Sequence, residues 1–480
     1  MKKNLIGKKQ FTEKNQKDFA NISCDHNPIH VNPLIARRLI SGRCIVHGVN
    51  ILLTGLNFLF KKKINFKFNK IKFILFNPVY IGEKVYFIKK IKNRNLVISI
   101  ENNSTTFAEI IFEETKQGQI KEFHIKNRYL NNINTVKKYN KIDKFEGIKQ
   151  NKKNYEINLN NFSFSKKYAN TKNILNVNQF TTILSLSYFV GMICPGLNSI
   201  LSSIEINFNN NEVKDKKIIF LVEKFYKGIN LVKIKFLGNL HGEIKAFLHP
   251  GCVLQPAIKE IKKLVKPKEF IGINSLIIGG SRGLGELTAK ILTSGKGNVN
   301  ITYFNGRKEA LELKKIIKFE TGQNCEIEKI DILGDKFKNK IRRFSNYDFI
   351  FYYPTPKIFR KKEENFDNEI FKNFYKYYVK KFILMCNLLE KKISKKLIVF
   401  FPSTIFIKET PRYLREYVEA KLLAERLIKK FNNKFSKIKV ITIRLPKLKT
   451  DQTSEIITSF KNENIKIMVP IIRSIISKNL

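Results

Sequence analysis

At Ile273 the pattern of the chain changes. Upstream, short segments alternate apolar and polar residues, as a half-buried antiparallel sheet requires. Downstream, the apolar strand Ser275–Ile278 runs straight into Gly279-Gly280-Ser281-Arg282-Gly283-Leu284-Gly285 and then a helical stretch, Glu286–Thr293. A strand entering a helix through such a turn commits this region to strand–helix–strand units on a parallel sheet. Further apolar strands follow at Val299–Phe304, ahead of Asp331-Ile332, and at Asp348–Tyr352. Two rhythms over 480 residues exceed one core, so the chain divides into α+β and α/β parts.

Within residues 1–118 the pattern predicts a helix over Val46–Leu59. Strands are expected at Ile64–Leu75, Lys84–Ile91, Leu96–Ile100 and Thr105–Glu113. Residues 119–153, rich in Lys, Asn and Tyr, read as a linker. Over 154–252 the helix-then-sheet order recurs: a helix over Gln179–Met192, stopped by Pro195-Gly196, then strands at Ile200–Phe208, Lys217–Phe225, Leu231–Leu237 and Glu243–Phe247. Residues 253–270 read as a second linker before the domain at 271–480.

The formal charge of +50 would ordinarily serve a polyanion. Here the excess is spread along the whole chain, Phe reaches 40 residues, and Trp is absent, which reads as AT-rich coding bias; no nucleic-acid reader motif accompanies it. Six scattered cysteines without a Cys-x-x-Cys suggest neither a zinc site nor a disulfide framework, so no metal is expected and a reducing, cytoplasmic setting fits. The N-terminus has basic residues but no apolar core of a secretory signal, and the runs Val46–Phe60 and Ile183–Ile193 are too short to span a bilayer.

Two constellations carry chemistry. In Ser23-Cys24-Asp25-His26-Asn27-Pro28-Ile29-His30, a carboxylate and an imidazole stand five residues apart across a rigid Asn-Pro turn, followed by His47-Gly48. Such a pair can hold one water, one group accepting its proton while the other orients it. Farther on, Ser403 precedes Tyr417, and Lys421 follows Tyr417 by one helical turn. There an ammonium can lower the phenol pKa, and a serine can hold a carbonyl. Five other Tyr-x-x-x-Lys pairs occur, at Tyr80, Tyr86, Tyr168, Tyr353 and Tyr377, but these lack the upstream strand and serine.

The first constellation, with Phe76-Asn77-Pro78-Val79-Tyr80-Ile81-Gly82-Glu83 in the same order, resembles the MaoC-like, R-specific enoyl-thioester hydratases; Cys24 stands where that family has Gly. The resemblance implies a hotdog fold, Asp25 and His30 as the catalytic pair, and the Gly48 N–H polarising the thioester carbonyl. Residues 154–252 resemble the non-catalytic half of double-hotdog hydratases, a second, degenerate copy that completes the fold and shapes the acyl pocket. The last 210 residues resemble short-chain dehydrogenase/reductases. This implies a Rossmann-like doubly wound parallel sheet, catalytic Ser403, Tyr417 and Lys421, and a cofactor set of Gly279, Ser281, Arg282, Gly283, Leu284, Gly285, Arg307, Asp331 and Ile332. Departures from that family are Ile278 for Thr, Tyr352-Tyr353-Pro354-Thr355 for Asn-Ala-Gly, and Tyr377-Tyr378 where a catalytic Asn is usual.

The second strand of the α/β part ends without an acid to bind a ribose, while Arg282 and Arg307 can pair with a 2′-phosphate. NADP(H) is thus favoured over NAD(H). The fusion implies a bifunctional enzyme on acyl thioesters of coenzyme A or acyl carrier protein, reducing 3-oxoacyl groups and dehydrating (R)-3-hydroxyacyl groups. Four alternatives stand beside it: a reductase whose hotdogs only bind acyl groups, an oxidative hydratase/dehydrogenase, a scaffold-only nucleotide domain, and a basic nucleic-acid or membrane protein that has lost both chemistries. A homodimer is the assembly left open.

Overall fold

The computed structural model describes residues 4–39, 41–61, 66–114, 133–208, 216–358, 365–453 and 463–479. It divides into two compact units, the first running to Gly251 and the second starting at Cys252.

In the first unit, strands β1 (Leu5–Gln10), β2 (Lys70–Leu75), β3 (Lys84–Lys92), β4 (Asn95–Glu101) and β5 (Thr106–Glu113) make one half. Strands β6 (Ile133–Thr135), β7 (Asn154–Asn158), β8 (Ser199–Phe208), β9 (Lys217–Tyr226), β10 (Leu231–Leu237) and β11 (Leu240–Leu248) make the other. All join in one sheet, ordered β1-β3-β4-β5-β2-β8-β11-β10-β9-β7-β6. The halves meet where β2 pairs antiparallel with β8, Ile71 opposite Ile206 and Phe73 opposite Ile204. Alternation fixes which face is buried. On β10, Val232, Ile234 and Phe236 face the core, while Lys233 bridges Glu223 and Glu243 on the flanking strands at 3.1 and 2.9 Å.

Two helices lie against this sheet. Gly48–Leu59 buries every residue from Gly48 to Leu56 and Val177–Tyr188 every residue from Phe180 on, and a helix without a polar face can sit only inside. Both contribute to one core with Phe73, Phe87, Ile98, Phe220 and Ile234. The helix expected over Gln179–Met192 is regular to Tyr188. It then widens into a single i+5 turn, Phe189–Ile193, closed by Cys194 N–H to Phe189 O at 2.8 Å.

Neither linker is free chain where it is described. Of residues 119–153, those from 133 on carry β6, paired parallel to β7, and Asp143 exchanges main-chain bonds with Met192 and Leu197; residues 119–132 lie outside the described residues. In 253–270, Ile258, Ile261, Val265 and Phe270 belong to the core of the second unit. Their helical spacing is embedded in a lysine-rich stretch, which made them read as solvated.

The second unit holds β12 (Asn274–Ile278), β13 (Asn298–Tyr303), β14 (Ile327–Lys329), β15 (Phe349–Tyr352), β16 (Leu397–Thr404) and β17 (Ile438–Leu445). The order is β14-β13-β12-β15-β16-β17, every pairing parallel, so the order reverses beside β12. Both faces are covered. Ile277, Phe351 and Phe400 pack with Leu287, Ile291 and Ile472, whereas Ile278, Ile350 and Phe401 pack with Phe382, Leu389 and Tyr417. Ligands in open parallel sheets bind beyond the carboxyl ends of the strands at such a reversal. The glycine turn leaves β12 there.

Candidate functional site

Helix Glu13–Ser23 ends at Cys24, whose φ of 55° is the left-handed conformation a glycine takes readily. That reversal turns Asp25 inward, where it is 2% exposed. Asn27 then caps the turn Pro28–Val31 through its side chain to Ile29 N–H, and His30 projects from that turn. Asp25 Oδ1 accepts from Asn27 N–H at 3.2 Å and Oδ2 from Ser187 Oγ–H at 2.7 Å. Burial pushes the Asp25 carboxyl up to about 7 against these two bonds.

His30 Nδ1 lies 2.9 Å from Ile45 O, which fixes the proton on Nδ1 and leaves Nε2 as an acceptor. Burial pushes this imidazole down to about 4, so it is neutral near pH 7. Its ring stacks on that of His47 at 3.9 Å, and ligand atoms of Asp25, His30 and His47 lie within 4.8 Å of one another. These donor types also suit a metal. Here, however, both Asp25 oxygens already accept hydrogen bonds, and His47 Nε2 faces the Asp25 main-chain oxygen at 3.0 Å, closer than the carboxylate at 3.9 Å. Gly48 opens its helix, so its N–H has no partner within the helix; a Cβ there would lie 2.7 Å from Leu201 Cδ2.

In the second unit Gly279 and Gly283 take φ of 79° and 59°, and a Cβ on Gly285 would lie 2.8 Å from Gly280 Cα. The turn therefore needs its glycines and presents the N-terminus of Gly283–Ser294, the arrangement that accepts a pyrophosphate. Ser281 is buried beside Gly306, Leu284 packs on the core, Ile332 is buried, and Asp331 is exposed past β14. Arg307 is exposed at the start of helix Arg307–Thr321. Arg282 is not free: its guanidinium donates to Asp451 Oδ2 at 3.0 Å.

Tyr417 and Lys421 lie buried one turn apart on helix Arg415–Asn432. Two expectations change here. The Tyr417 phenol is hydrogen-bonded by Thr404, not Ser403, and burial pushes it up to about 12. Lys421 donates to Pro402 O at 2.6 Å, its ammonium over the rings of Tyr378 and Phe401 at 3.9 and 4.4 Å; burial pushes it down to about 7. Ser403 is buried, and its hydroxyl acts on the Glu425 carboxylate. β16 ends at Thr404, and this last residue of the strand reaches the phenol.

The family comparison matches residues 4–110 to the MaoC like domain. Residues 4–110 form a MaoC-like domain. No curated protein matches the chain. Among solved structures, the chain is similar to a short chain dehydrogenase from Burkholderia cenocepacia J2315 in complex with NADP (17% identity, 43% of this chain and 91% of that one, TM-score 0.36). It is also similar to the short chain dehydrogenase from Shigella flexneri (14%, 44% and 88%, TM-score 0.39). A third is FolM alternative dihydrofolate reductase 1 from Brucella canis complexed with NADP (15%, 37% and 74%, TM-score 0.33).

Sequence reasoning missed what holds the pair of the MaoC-like domain in place. Ser187 comes from the second half of the unit, and Asn27 Nδ2 donates to Gly191 O and Gly196 O there, at 2.8 and 3.1 Å. The available signal was a run of hydroxyls, Thr181, Thr182, Ser185 and Ser187, on an otherwise apolar helix. Gly191 matters for space, since a Cβ would stand 2.6 Å from Asp25 Cγ. Gly191→Ala is therefore expected to displace the Asp25 carboxylate and cut enoyl-thioester hydration by about a hundredfold, the cost of a misplacement near 1 Å. Gly228→Ala, with nothing within 4 Å, is the control and should leave the rate unchanged.

Proposed function

We propose that the chain is a bifunctional acyl-thioester enzyme: a hydratase/dehydratase at Asp25 and His30, and a nicotinamide-dependent short-chain reductase at Tyr417. The observation that carries the reading is the convergence of a buried carboxyl and a tautomer-fixed neutral imidazole in a MaoC-like domain. A water between them gives one proton to His30 Nε2 while Asp25 accepts a hydrogen bond from the O–H that is kept. The oxygen adds to the β-carbon, and the proton returns to the α-carbon, so the addition balances. The Gly48 N–H is placed to stabilise charge on the thioester oxygen as the enolate forms. Residues 154–252 are read as a second, degenerate hotdog and the parallel sheet as a Rossmann-like domain, on their helix-then-sheet order and strand order respectively.

The glycine turn fits a dinucleotide: it is open at Gly283, where a Cβ would meet only Thr450 Cγ2, at 3.9 Å. Gly279, Gly283 and Gly285 with Ser281 and Leu284 would hold the pyrophosphate, and Asp331 and Ile332 would border the adenine. When bound, a reduced nicotinamide supplies the hydride to the C3 carbonyl. Tyr417 gives the alkoxide its proton, Thr404 takes the carbonyl-holding role expected of Ser403, and Lys421, once turned from Pro402 O, binds the ribose and supports the phenol.

The substrates read best as 3-oxoacyl and (R)-3-hydroxyacyl thioesters of coenzyme A or a carrier protein, in fatty-acyl metabolism. Incubation with short and long 3-oxoacyl and enoyl thioesters, following NADPH and enoyl absorbance separately, tests both halves. Silence in either channel across the panel removes that half. The alternative, a reductase whose hotdogs only bind acyl groups, predicts NADPH oxidation and no enoyl signal. No described helix is long and apolar enough to cross a membrane.

The cofactor preference rests on Arg282 and Arg307. NADPH is expected to bind more tightly than NADH at moderate salt, measured by fluorescence titration. Arg307→Ala should narrow the gap more than Arg282→Ala, because Arg282 must first leave Asp451. Equal wild-type affinities would remove the argument for the reductive direction.

A further inference from the structure

His47 is fully buried, and each of its ring nitrogens faces an oxygen that can only accept. Nδ1 lies 2.7 Å from Gln16 Oε1 and Nε2 lies 3.0 Å from the main-chain oxygen of Asp25. The Gln16 amide cannot be turned over to offer a donor instead. The same Oε1 accepts the His47 main-chain N–H at 3.1 Å, and a flipped amide would set N–H against N–H there. The Asp25 carbonyl has no proton to give. A neutral imidazole carries one N–H, and would leave a nitrogen lone pair pressed on an oxygen lone pair in a buried site. The other end of the pair has the matching pattern: both Asp25 oxygens act as acceptors, from Asn27 N–H and Ser187 Oγ–H, as a carboxylate does.

We propose that His47 is an imidazolium that donates from both nitrogens and serves as the positioning residue of the hydratase pair, fixing the main chain of Asp25 and keeping its carboxylate ionised. Its role in catalysis rests on the hydratase reading; its charge does not. The titratable groups acting on the ring are Asp25, with Oδ2 at 3.9 Å, His30 stacked against it, and His26. Burial, His30 and His26 push the imidazole well below its ordinary value, and the Asp25 main-chain oxygen pulls the other way; the charge is argued from the two acceptor oxygens that both ring nitrogens face and from the carboxylate at 3.9 Å. His30 keeps its own proton on Nδ1 for Ile45 O, so the stack pairs one neutral ring with one charged ring.

The consequence for Asp25 has a definite sign. Burial, against the bonds from Ser187 and Asn27, raises its carboxyl to about 7. A cation beside it lowers that value, so the carboxylate persists to lower pH, and removing the cation lets it rise again. The test is ¹⁵N-histidine NMR on the full chain, with His47→Gln identifying the signals. At pH 7 both His47 nitrogens should carry a proton, whereas a single protonated nitrogen between pH 6 and 8 overturns the proposal. On crotonyl thioester, His47→Gln should lower kcat at least about tenfold with KM within about twofold, and the acid limb of the kcat profile should move up in pH. An unmoved limb also overturns it. Should the variant not fold, the wild-type spectrum at pH 8, well above the ordinary imidazole range, decides: a histidine that stays doubly protonated there is expected, and none overturns the proposal. If the chain hydrates no enoyl thioester, the hydratase reading fails while the charge of His47 is still read directly.

Discussion

Tyr417→Phe is expected to abolish NADPH oxidation with a 3-oxoacyl thioester while leaving cofactor binding and hydration unchanged. In the proposed mechanism the phenol gives its proton to the forming alkoxide, and Thr404, the last residue of β16, hydrogen-bonds it. Phe keeps the ring, which packs edge-on to Phe374 and Tyr378, so the fold should survive. With the phenol pushed up to about 12 it remains protonated throughout the assay range, the form an acid needs for reduction. Thr404→Val should cost nearly as much and Ser403→Ala little. The reverse order would return the carbonyl-holding role to Ser403. Retention of even about a tenth of the wild-type rate by Tyr417→Phe would sink the assigned mechanism.

Asp25→Asn should slow enoyl-thioester hydration by at least about two orders of magnitude, and His30→Ala by a similar amount, because each supplies acid–base work its partner cannot. Asn preserves the volume against Gly191 and can still accept from Ser187, so loss of rate would report chemistry and not a collapsed pocket. Reduction of 3-oxoacyl thioesters by the same protein should be untouched. Wild-type hydration by Asp25→Asn would remove the site assignment.

Much of this arrangement was legible because local rules carried it. The glycine turn announces itself through residues required by backbone shape, and Gly279, Gly283 and Gly285 stand where the turn demands them. Asp25 and His30 were legible because Asn27 and Pro28 fix a short-range geometry. What stayed hidden depends on long-range pairing. Ser187 meets Asp25 across 162 positions, and Asp451 meets Arg282 across 169. The Ser403/Thr404 choice turns on how the last residue of a strand faces a helix, which residue type alone does not encode. The stretch 253–270 read as a linker because lysines around Ile258, Ile261 and Val265 mask an apolar stripe.

The pairing of β2 with β8 also bears on how this protein could be taken apart. Either half of the first unit, expressed alone, would present its own β2 or β8 as a long raw edge rich in Ile and Phe, an invitation to strand exchange and fibrous aggregates. A gene break between the two halves would therefore have to be answered by a partner chain offering the same edge.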